Sequence, residues 1–355
     1  MGAQFNRCKN KRYLQLILVV IVFIWIFYVV YSPRKYKRRE LPSIHDTPLE
    51  NEIACHYAEG EEVVLAAEGL DTSPHSIFFV ETSCRGNLDW RQICSVESAA
   101  RANPDWDVYV LFASPLAKHV LQNGALSELG RFGNVRIARI HLLEFAKGSP
   151  VDGLISGGAF NTSSYPVTHT SDVLRILTLY KYGGVYLDLD VVVAKSFNSL
   201  PVNFAAKQSE SVIATGVIGL AKDGWGRNIS ETLLRNIADD FHGDAWSYNG
   251  PEALTRTLRS LCDDVDVKQT NSSTCHGFEA LGAARFYPIY WTDYRRYFLP
   301  GEIDFKNPYM YHVWNKMSEQ MDVHRDSPYA KLTRTYCPST YKQHKGYFGS
   351  DHINN

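Results

Sequence analysis

Residues 171–193, SDVLRILTLYKYGGVYLDLDVVV, determine the fold that we predict for this chain. Apolar residues recur at helical spacing in the first half, and Gly183–Gly184 then end the helix because glycine adopts the left-handed turn at little cost. A short apolar strand follows and leads directly to Asp188 and Asp190. Serine and aspartate are good helix starters, so we predict a helix from Asp172 or the serine before it, and then a buried strand ending in two carboxylates.

The sequence before this stretch predicts an α/β fold. Apolar strand candidates rich in β-forming residues occupy residues 77–82, 107–113 and 135–140, and a helical segment runs from about Gln92 to Ala102. Strands that alternate with helices indicate βαβ units and a mainly parallel sheet. The 355 residues, 45% of them hydrophobic and 21% charged, are enough for one large globular domain.

The charge distribution argues against nucleic-acid binding. The net charge is only −1, but nine of the 37 Lys and Arg residues precede residue 40, where there is no Asp or Glu. The rest of the chain therefore carries 28 basic and 38 acidic residues. Phosphate backbones bind clustered Lys and Arg, so we expect no nucleic-acid partner.

An apolar run near the N-terminus predicts a membrane anchor. Residues 14–31 are almost entirely apolar and can just cross a hydrocarbon core of about 30 Å. We predict a cytoplasmic tail at 1–12, a transmembrane signal-anchor at 13–31 and a lumenal stem at 32–75. A cleaved signal peptide is the alternative, although the run is long for one and no A-x-A site follows.

Cysteines and sequons favour a lumenal body in an oxidising compartment. Six of the seven cysteines lie after the apolar run, which fits disulfides, with buried thiols as the alternative. Short loops favour the pairs Cys84–Cys94 and Cys262–Cys275. Asn161, Asn228 and Asn271 begin glycosylation sequons.

Asp188 and Asp190 form the motif that carries the chemistry. Two carboxylates at the end of a buried strand repel each other and lose solvation unless a cation or hydrogen-bond donors offset both. A hard ion such as Mn²⁺ or Mg²⁺ suits carboxylate oxygens and leaves positions for phosphate oxygens. Strand ends are also where α/β sheets bind ligands. The alternative is a solvated strand-to-loop edge, where aspartate is common.

The pattern Ser-Asp-x-x-Arg, seven residues, Gly-Gly-x-Tyr-x-Asp-x-Asp resembles the sugar-binding segment with the DXD motif of retaining, metal-dependent glycosyltransferases. Further blocks, in family order, resemble α-1,4-glycosyltransferases. They are residues 77–83, 94–101, 250–256, 286–291, 312–316 and 336–340. The resemblance implies a GT-A type, Rossmann-like nucleotide-sugar-binding domain over 76–355. Residues 76–200 would form its donor half and residues 201–355 its acceptor half.

The resemblance also implies roles for individual residues. Asp188 and Asp190 would be catalytic and would hold Mn²⁺ (or Mg²⁺) on the donor diphosphate, with His312 as a third ligand. Asp172 and Arg175 would contact the donor. The structural alternatives are a helix cap with an i, i+3 ion pair for the last two, and a structural role for the histidine.

Other residues would shape the substrate pockets. Tyr186, Thr215 and Gly216 are expected at the donor. Relatives commonly have Asn-Gly where this chain has Thr215-Gly216, and a hydroxyl offers one donor where an amide offers two, so the sugar preference could differ. We expect the acceptor to meet the following residues: Trp246, Tyr248, Gly250 and Trp291.

The resulting hypothesis is a single-pass type II Golgi membrane enzyme. It would transfer galactose or N-acetylgalactosamine from UDP-Gal or UDP-GalNAc, with retention and in α1,4 linkage, to a glycolipid or glycan acceptor. One alternative is a non-catalytic, membrane-anchored carbohydrate-binding or chaperone-like protein on the same scaffold. A second is a transferase that uses GDP-mannose.

Overall fold

The structure is a computed structural model that describes residues 52–60, 63–303 and 307–349. The predicted tail, the predicted anchor and the first part of the predicted stem lie outside these residues. Within the described ranges, none of the helices has the length and apolar character needed to cross a membrane.

A central sheet organises the described residues. The strands are β1 (Leu65–Ala66), β2 (Ser76–Glu81), β3 (Asp107–Phe112), β4 (Val135–Arg139), β5 (Gly184–Leu187), β6 (Val191–Val193), β7 (Asn203–Lys207), β8 (Ile213–Leu220), β9 (Phe278–Leu281) and β10 (Met310–His312). Eight of them form one sheet in the order β1-β4-β3-β2-β5-β8-β7-β9, and a second sheet pairs β6 with β10. In the large sheet only β8 runs antiparallel to its neighbours, so the predicted mainly parallel sheet is confirmed.

Helices cover both faces of this sheet. The α-helices are α1 (Trp90–Ala102), α2 (Lys118–Asn123), α3 (Leu142–Ala146), α4 (Asp152–Ser156), α5 (Pro166–Tyr182), α6 (Gly224–Asp239), α7 (Ala253–Leu261), α8 (Asn315–Ser318), α9 (Pro328–Tyr336) and α10 (Pro338–Gln343). One apolar core contains α1, and the other contains α5, α6 and α7. Because both faces are covered, β2 and β8 are buried at every residue.

The helix predicted from residue 171 or 172 begins earlier. Helix α5 starts at Pro166, which suits a first helical turn because its fixed φ matches the helix and its missing N–H has no partner there. Asp172 therefore lies inside the helix and does not cap it. The predicted end is confirmed, since Gly183 has φ 68° and a Cβ there would lie 2.5 Å from the Lys222 nitrogen.

The disulfide prediction is half right. The structure pairs Cys55 with Cys84, Cys94 with Cys337, and Cys262 with Cys275. The predicted Cys84–Cys94 pair is wrong because Cys94 faces inward from α1, where the C-terminal helices pack. Proximity along the chain gave no signal for a bond that spans 243 residues.

Part of the segment predicted as stem belongs to the folded body. Strand β1 pairs with β4 at the edge of the large sheet. His56 Nε2 lies 2.9 Å from the Thr82 carbonyl oxygen, and the neighbouring Cys55 is joined to Cys84. The stem boundary drawn at residue 75 is therefore too late.

Candidate active site

Two strand pairings bring distant residues to the DXD segment. Strand β5 ends at Leu187 and β6 begins at Val191, so residues 188–190 form the turn that links the two sheets. The Asp188 N–H donates to the Gly216 carbonyl on β8 at 3.0 Å. Strand β10 runs antiparallel to β6 and places His312 opposite Val191.

The resulting cluster joins two carboxylates and one imidazole. His312 Nε2 lies 3.4 Å from Asp188 Oδ2 and 3.2 Å from Asp190 Oδ1, and the three candidate ligand atoms all lie within 4.8 Å of one another. The backbone nitrogen of Trp314 lies 3.3 Å from His312 Nδ1, and Nε2 faces the two carboxylates. Once Nε2 has given up its proton, two carboxylate oxygens and one imidazole nitrogen are a donor set that fits Mn²⁺, and fits Mg²⁺ less well.

A buried arginine holds the cluster from one side. Arg175 Nη1 lies 3.1 Å from Asp188 Oδ1, and Nη2 lies 3.2 Å from Asp172 Oδ1. The guanidinium also donates to the Ser171 carbonyl and hydroxyl and to both oxygens of Thr215. Its donors are thus engaged by the protein itself, so the geometry supports a role in orienting Asp188.

The charges in this cluster shift its ionisation. Burial raises the pKa of Asp172 to about 6, against the opposing effect of Arg175. Burial also opposes ionisation of Asp188, but Arg175 and the hydrogen bond from His312 outweigh it and lower the pKa to about 2. Burial and the Asp188 charge raise the pKa of Asp190. Of these three aspartates, Asp188 is therefore the one that stays ionised most readily.

The residues predicted at the donor lie together. The Tyr186 hydroxyl donates to Asp188 Oδ1 at 2.7 Å, and its ring lies 4.9 Å from the Arg175 guanidinium. A Cβ at Gly216 would lie 2.9 Å from Asp188 Oδ2, so glycine leaves space at the cluster. Thr215 is buried and accepts from Arg175. Their contacts with a donor stay predictions.

The residues predicted at the acceptor are more dispersed. Gly250 packs on Asp172, where a Cβ would lie 2.7 Å from the carboxylate. Trp246 and Trp291 are 49% and 40% exposed. The centre of the Tyr248 ring lies 4.1 Å from that of His242 and 3.8 Å from the Arg256 guanidinium, and its hydroxyl donates to Asp240. The Tyr248 ring is therefore in contact with other side chains of the protein.

Sequence reasoning missed Tyr287 as a site residue. Its ring lies 5.3 Å from that of His312, and its buried hydroxyl makes no well-formed hydrogen bond to the described residues. Burial, reinforced by the charges of Asp188 and Asp190, raises its pKa well above the ordinary value, so the hydroxyl keeps its proton. Tyr287 lies in the block 286–291 that resembles the family, but this resemblance did not identify it as a site residue.

Replacement of Gly216 tests how tightly the cluster is packed. We expect Gly216→Ala to weaken Mn²⁺-dependent stabilisation and activity about 10–100-fold, because the new Cβ would lie 2.9 Å from both Asp188 Oδ2 and the Tyr287 hydroxyl. Thermal melting with and without Mn²⁺ measures the effect. Gly282→Ala is the matched control, because no atom lies within 4 Å of a Cβ there. Equal behaviour of the two variants would show that the cluster tolerates the methyl group.

The cluster of Asp188, Asp190 and His312 lies just beyond the carboxyl end of β5. In α/β enzymes, ligands bind at the carboxyl ends of the strands of such a sheet. The fold and the site together fit an enzyme that transfers a group from a phosphorylated donor. Residues 89–206 match the model of the glycosyltransferase sugar-binding region containing the DXD motif. Residues 223–344 match that of the alpha 1,4-glycosyltransferase conserved region.

Named relatives agree with these matches. Lactosylceramide 4-alpha-galactosyltransferase of Rattus norvegicus is 32% identical over 281 residues, 76% of each chain. Alpha-1,4-N-acetylglucosaminyltransferase of Homo sapiens is 29% identical over 78% of this chain and 82% of its own length. A crystal structure of galactosyltransferase LgtC with donor and acceptor sugar analogs aligns with TM-score 0.41 and 14% identity, over 76% of this chain and 99% of that one. The chain belongs to the α-1,4-glycosyltransferase family and is a glycosyltransferase.

Proposed function

We propose that the chain transfers a hexose or N-acetylhexosamine from a UDP-sugar, in α1,4 linkage and with retention, to a glycolipid or glycan. The observation that carries this proposal is the cluster of Asp188, Asp190 and His312 beside a buried arginine, in a member of this family. The GT-A type of the fold and the assignment of Mn²⁺ are parts of the same proposal.

Four of the described residues would have distinct roles in the reaction. Asp188, Asp190 and His312 would hold the divalent cation. When bound, the cation would supply positive charge against the diphosphate oxygens on which negative charge develops. Arg175 keeps Asp188 ionised and oriented, since it lowers the pKa of that carboxyl.

No covalent nucleophile is assigned in the proposed transfer. The anomeric centre becomes oxocarbenium-like, and the acceptor hydroxyl attacks from the face on which the diphosphate leaves. The leaving phosphate takes the hydroxyl proton, so the chain supplies no separate base. The buried Tyr287 hydroxyl keeps its proton and is a hydrogen-bond donor available to an oxygen that gains charge.

We propose UDP-Gal or UDP-GalNAc as the donor and a glycosphingolipid with a terminal β-linked sugar as the acceptor. The name of the rat relative supports galactose and a lactosylceramide-like acceptor. The name of the human relative includes N-acetylglucosamine, so UDP-GlcNAc is also tested as a donor.

We also propose the Golgi membrane as the location, with type II topology and a lumenal catalytic domain. The apolar run at 13–31 and three disulfides after it support this assignment. Asn161 and Asn228 are exposed and would accept glycans. Asn271 is half-buried, and its carboxamide oxygen accepts from the Ser273 N–H at 2.9 Å.

A donor panel tests the proposal. We expect the purified full-length chain with Mn²⁺ to transfer sugar from UDP-Gal or UDP-GalNAc, and chelator to stop the reaction because the two carboxylates act through a cation. Mass detection of the product on a lactosylceramide acceptor provides the measurement, with UDP-GlcNAc and GDP-mannose as comparison donors. Transfer from GDP-mannose alone would overturn the UDP-sugar assignment, and transfer from none would favour a carbohydrate-binding role.

A further inference from the structure

One edge of β6 faces away from its partner strand. The register places Val191 opposite His312, and the Val313 N–H donates to the Asp190 carbonyl at 2.9 Å. Directly opposed residues in an antiparallel ladder alternate between hydrogen-bonded and non-bonded pairs. The amides of Val191 and Val193 therefore point away from β10, and buried amides of this kind need other partners.

Two serines of α1 provide those partners. Val191 N–H donates to Ser95 Oγ at 3.1 Å, and Val193 N–H donates to Ser98 Oγ at 2.9 Å. The two serines are three residues apart, so they lie on the same face of the helix, and both are at most 1% exposed. Helix α1 thus supplies the hydrogen-bond acceptors that a neighbouring strand would supply at this edge of β6.

The hydroxyl protons of Ser95 and Ser98 have different acceptors. Ser95 Oγ lies 2.8 Å from the Leu189 carbonyl oxygen and 3.2 Å from the Arg91 carbonyl oxygen of its own helix. Through the shorter bond to Leu189, one hydroxyl bridges the peptide groups on both sides of Asp190. Ser98 Oγ–H donates back to the Ser95 carbonyl at 2.9 Å within its own helix. Only the first serine therefore fixes the DXD turn itself.

Helix α1 is in turn firmly anchored. Asp89 and Gln92 form a reciprocal capping box at its first turn. Cys94 is joined to Cys337, and the buried Glu97 carboxylate accepts from the Thr340 N–H at 2.8 Å and its hydroxyl at 2.6 Å. The helix cannot easily shift to compensate for a lost bond at Ser95.

We propose that Ser95 is a positioning residue for the cation site. Its hydroxyl fixes the backbone at Asp190 so that this carboxylate faces Asp188 and His312. The side chain touches neither donor nor cation and acts through Asp190 alone. The inference rests on the proposed cation-dependent function and assigns to α1 a share in building that site.

Ser95→Ala and Ser98→Ala form a matched pair of variants. Each removes one buried hydroxyl that accepts from a β6 amide, so we expect similar decreases of Tm in chelator. Ser95→Ala should also raise the half-saturating Mn²⁺ concentration about tenfold, as loss of a supporting partner does at metal sites. Ser98→Ala should leave that concentration unchanged. The measurements are the Mn²⁺-induced Tm shift and the Mn²⁺ dependence of transfer, both on the full chain.

The outcomes separate this inference from the proposed function. Equal half-saturating Mn²⁺ in Ser95→Ala and Ser98→Ala would overturn the role of Ser95, because the bond would then be only structural. A wild-type chain that gains no Tm from Mn²⁺ would overturn the cation-dependent function, and the positioning role with it.

Discussion

Asp190→Asn should abolish sugar transfer while the chain stays folded. The amide removes the negative charge that holds a cation, and we expect the rate to fall on the order of 10²–10³-fold or more, as when an electrostatic clamp is lost. The fold should survive, because an amide oxygen can still accept the Asn315 N–H that Asp190 Oδ2 accepts at 2.7 Å. Burial and the Asp188 charge raise the pKa of Asp190. Stability at neutral pH in chelator should therefore be equal or slightly higher in the variant.

The response to Mn²⁺ distinguishes loss of the site from loss of the fold. A ligand at 100 times its Kd stabilises a folded protein by about 2.7 kcal/mol, and we expect this gain in the wild type and not in Asp190→Asn. Asp105→Asn, an exposed carboxylate just before β3, is the control that should keep both activity and the Mn²⁺ response. Robust transfer by Asp190→Asn in excess chelator would contradict the cation role. Arg and Lys side chains would then have to offset the leaving charge.

The sequence predicted the part of the site that is local. Gly183 ends α5 and a short strand leads to Asp188, and each of these features is set by neighbouring residues. Apolar runs likewise placed the central strands, because a sheet covered on both faces needs almost continuous apolar sequence. The family blocks added His312 and Gly250.

The rest depends on pairings between distant residues. His312 reaches the aspartates only because β10 pairs with β6, and the Cys94–Cys337 bond depends on the return of the C-terminal helices to α1. In the sequence, Ser95 and Ser98 look like ordinary small residues of an amphipathic helix. Only the structure shows that they accept hydrogen bonds from the β6 amides that face away from β10. No periodicity or spacing encodes such contacts. The family resemblance pointed to His312, but nothing in the sequence pointed to the Cys94–Cys337 bond or to the two serines.

Arg175→Met should destabilise the folded chain strongly, because it leaves the buried Asp172 and the partly exposed Asp188 without their guanidinium partner. Arg175 and Asp172 are 8% and 5% exposed at the side chain, and the same guanidinium lies 3.1 Å from Asp188. Removing one partner of a buried ion pair costs about 3–5 kcal/mol, since the remaining charge is desolvated and unpaired. Chemical unfolding of the wild type and the variant measures the loss. Arg235→Met, which breaks the exposed 2.6 Å pair with Glu231, should change stability little.

The loss of stability in Arg175→Met should also depend on pH, and the raised pKa of Asp172 sets its direction. Burial already raises the pKa of Asp172 to about 6 in the presence of Arg175, and the variant should raise it further because the arginine lowers it. A carboxyl with a raised pKa in the folded state favours folding at low pH, and that contribution is lost as the pH rises through the folded-state pKa. Arg175→Met should therefore lose more stability at about pH 8 than at about pH 5. Adding Asp172→Asn to it should recover part of the loss at the higher pH. An equal loss at both pH values, with no recovery in the double variant, would show that packing of the arginine side chain stabilises the site and its charge does not.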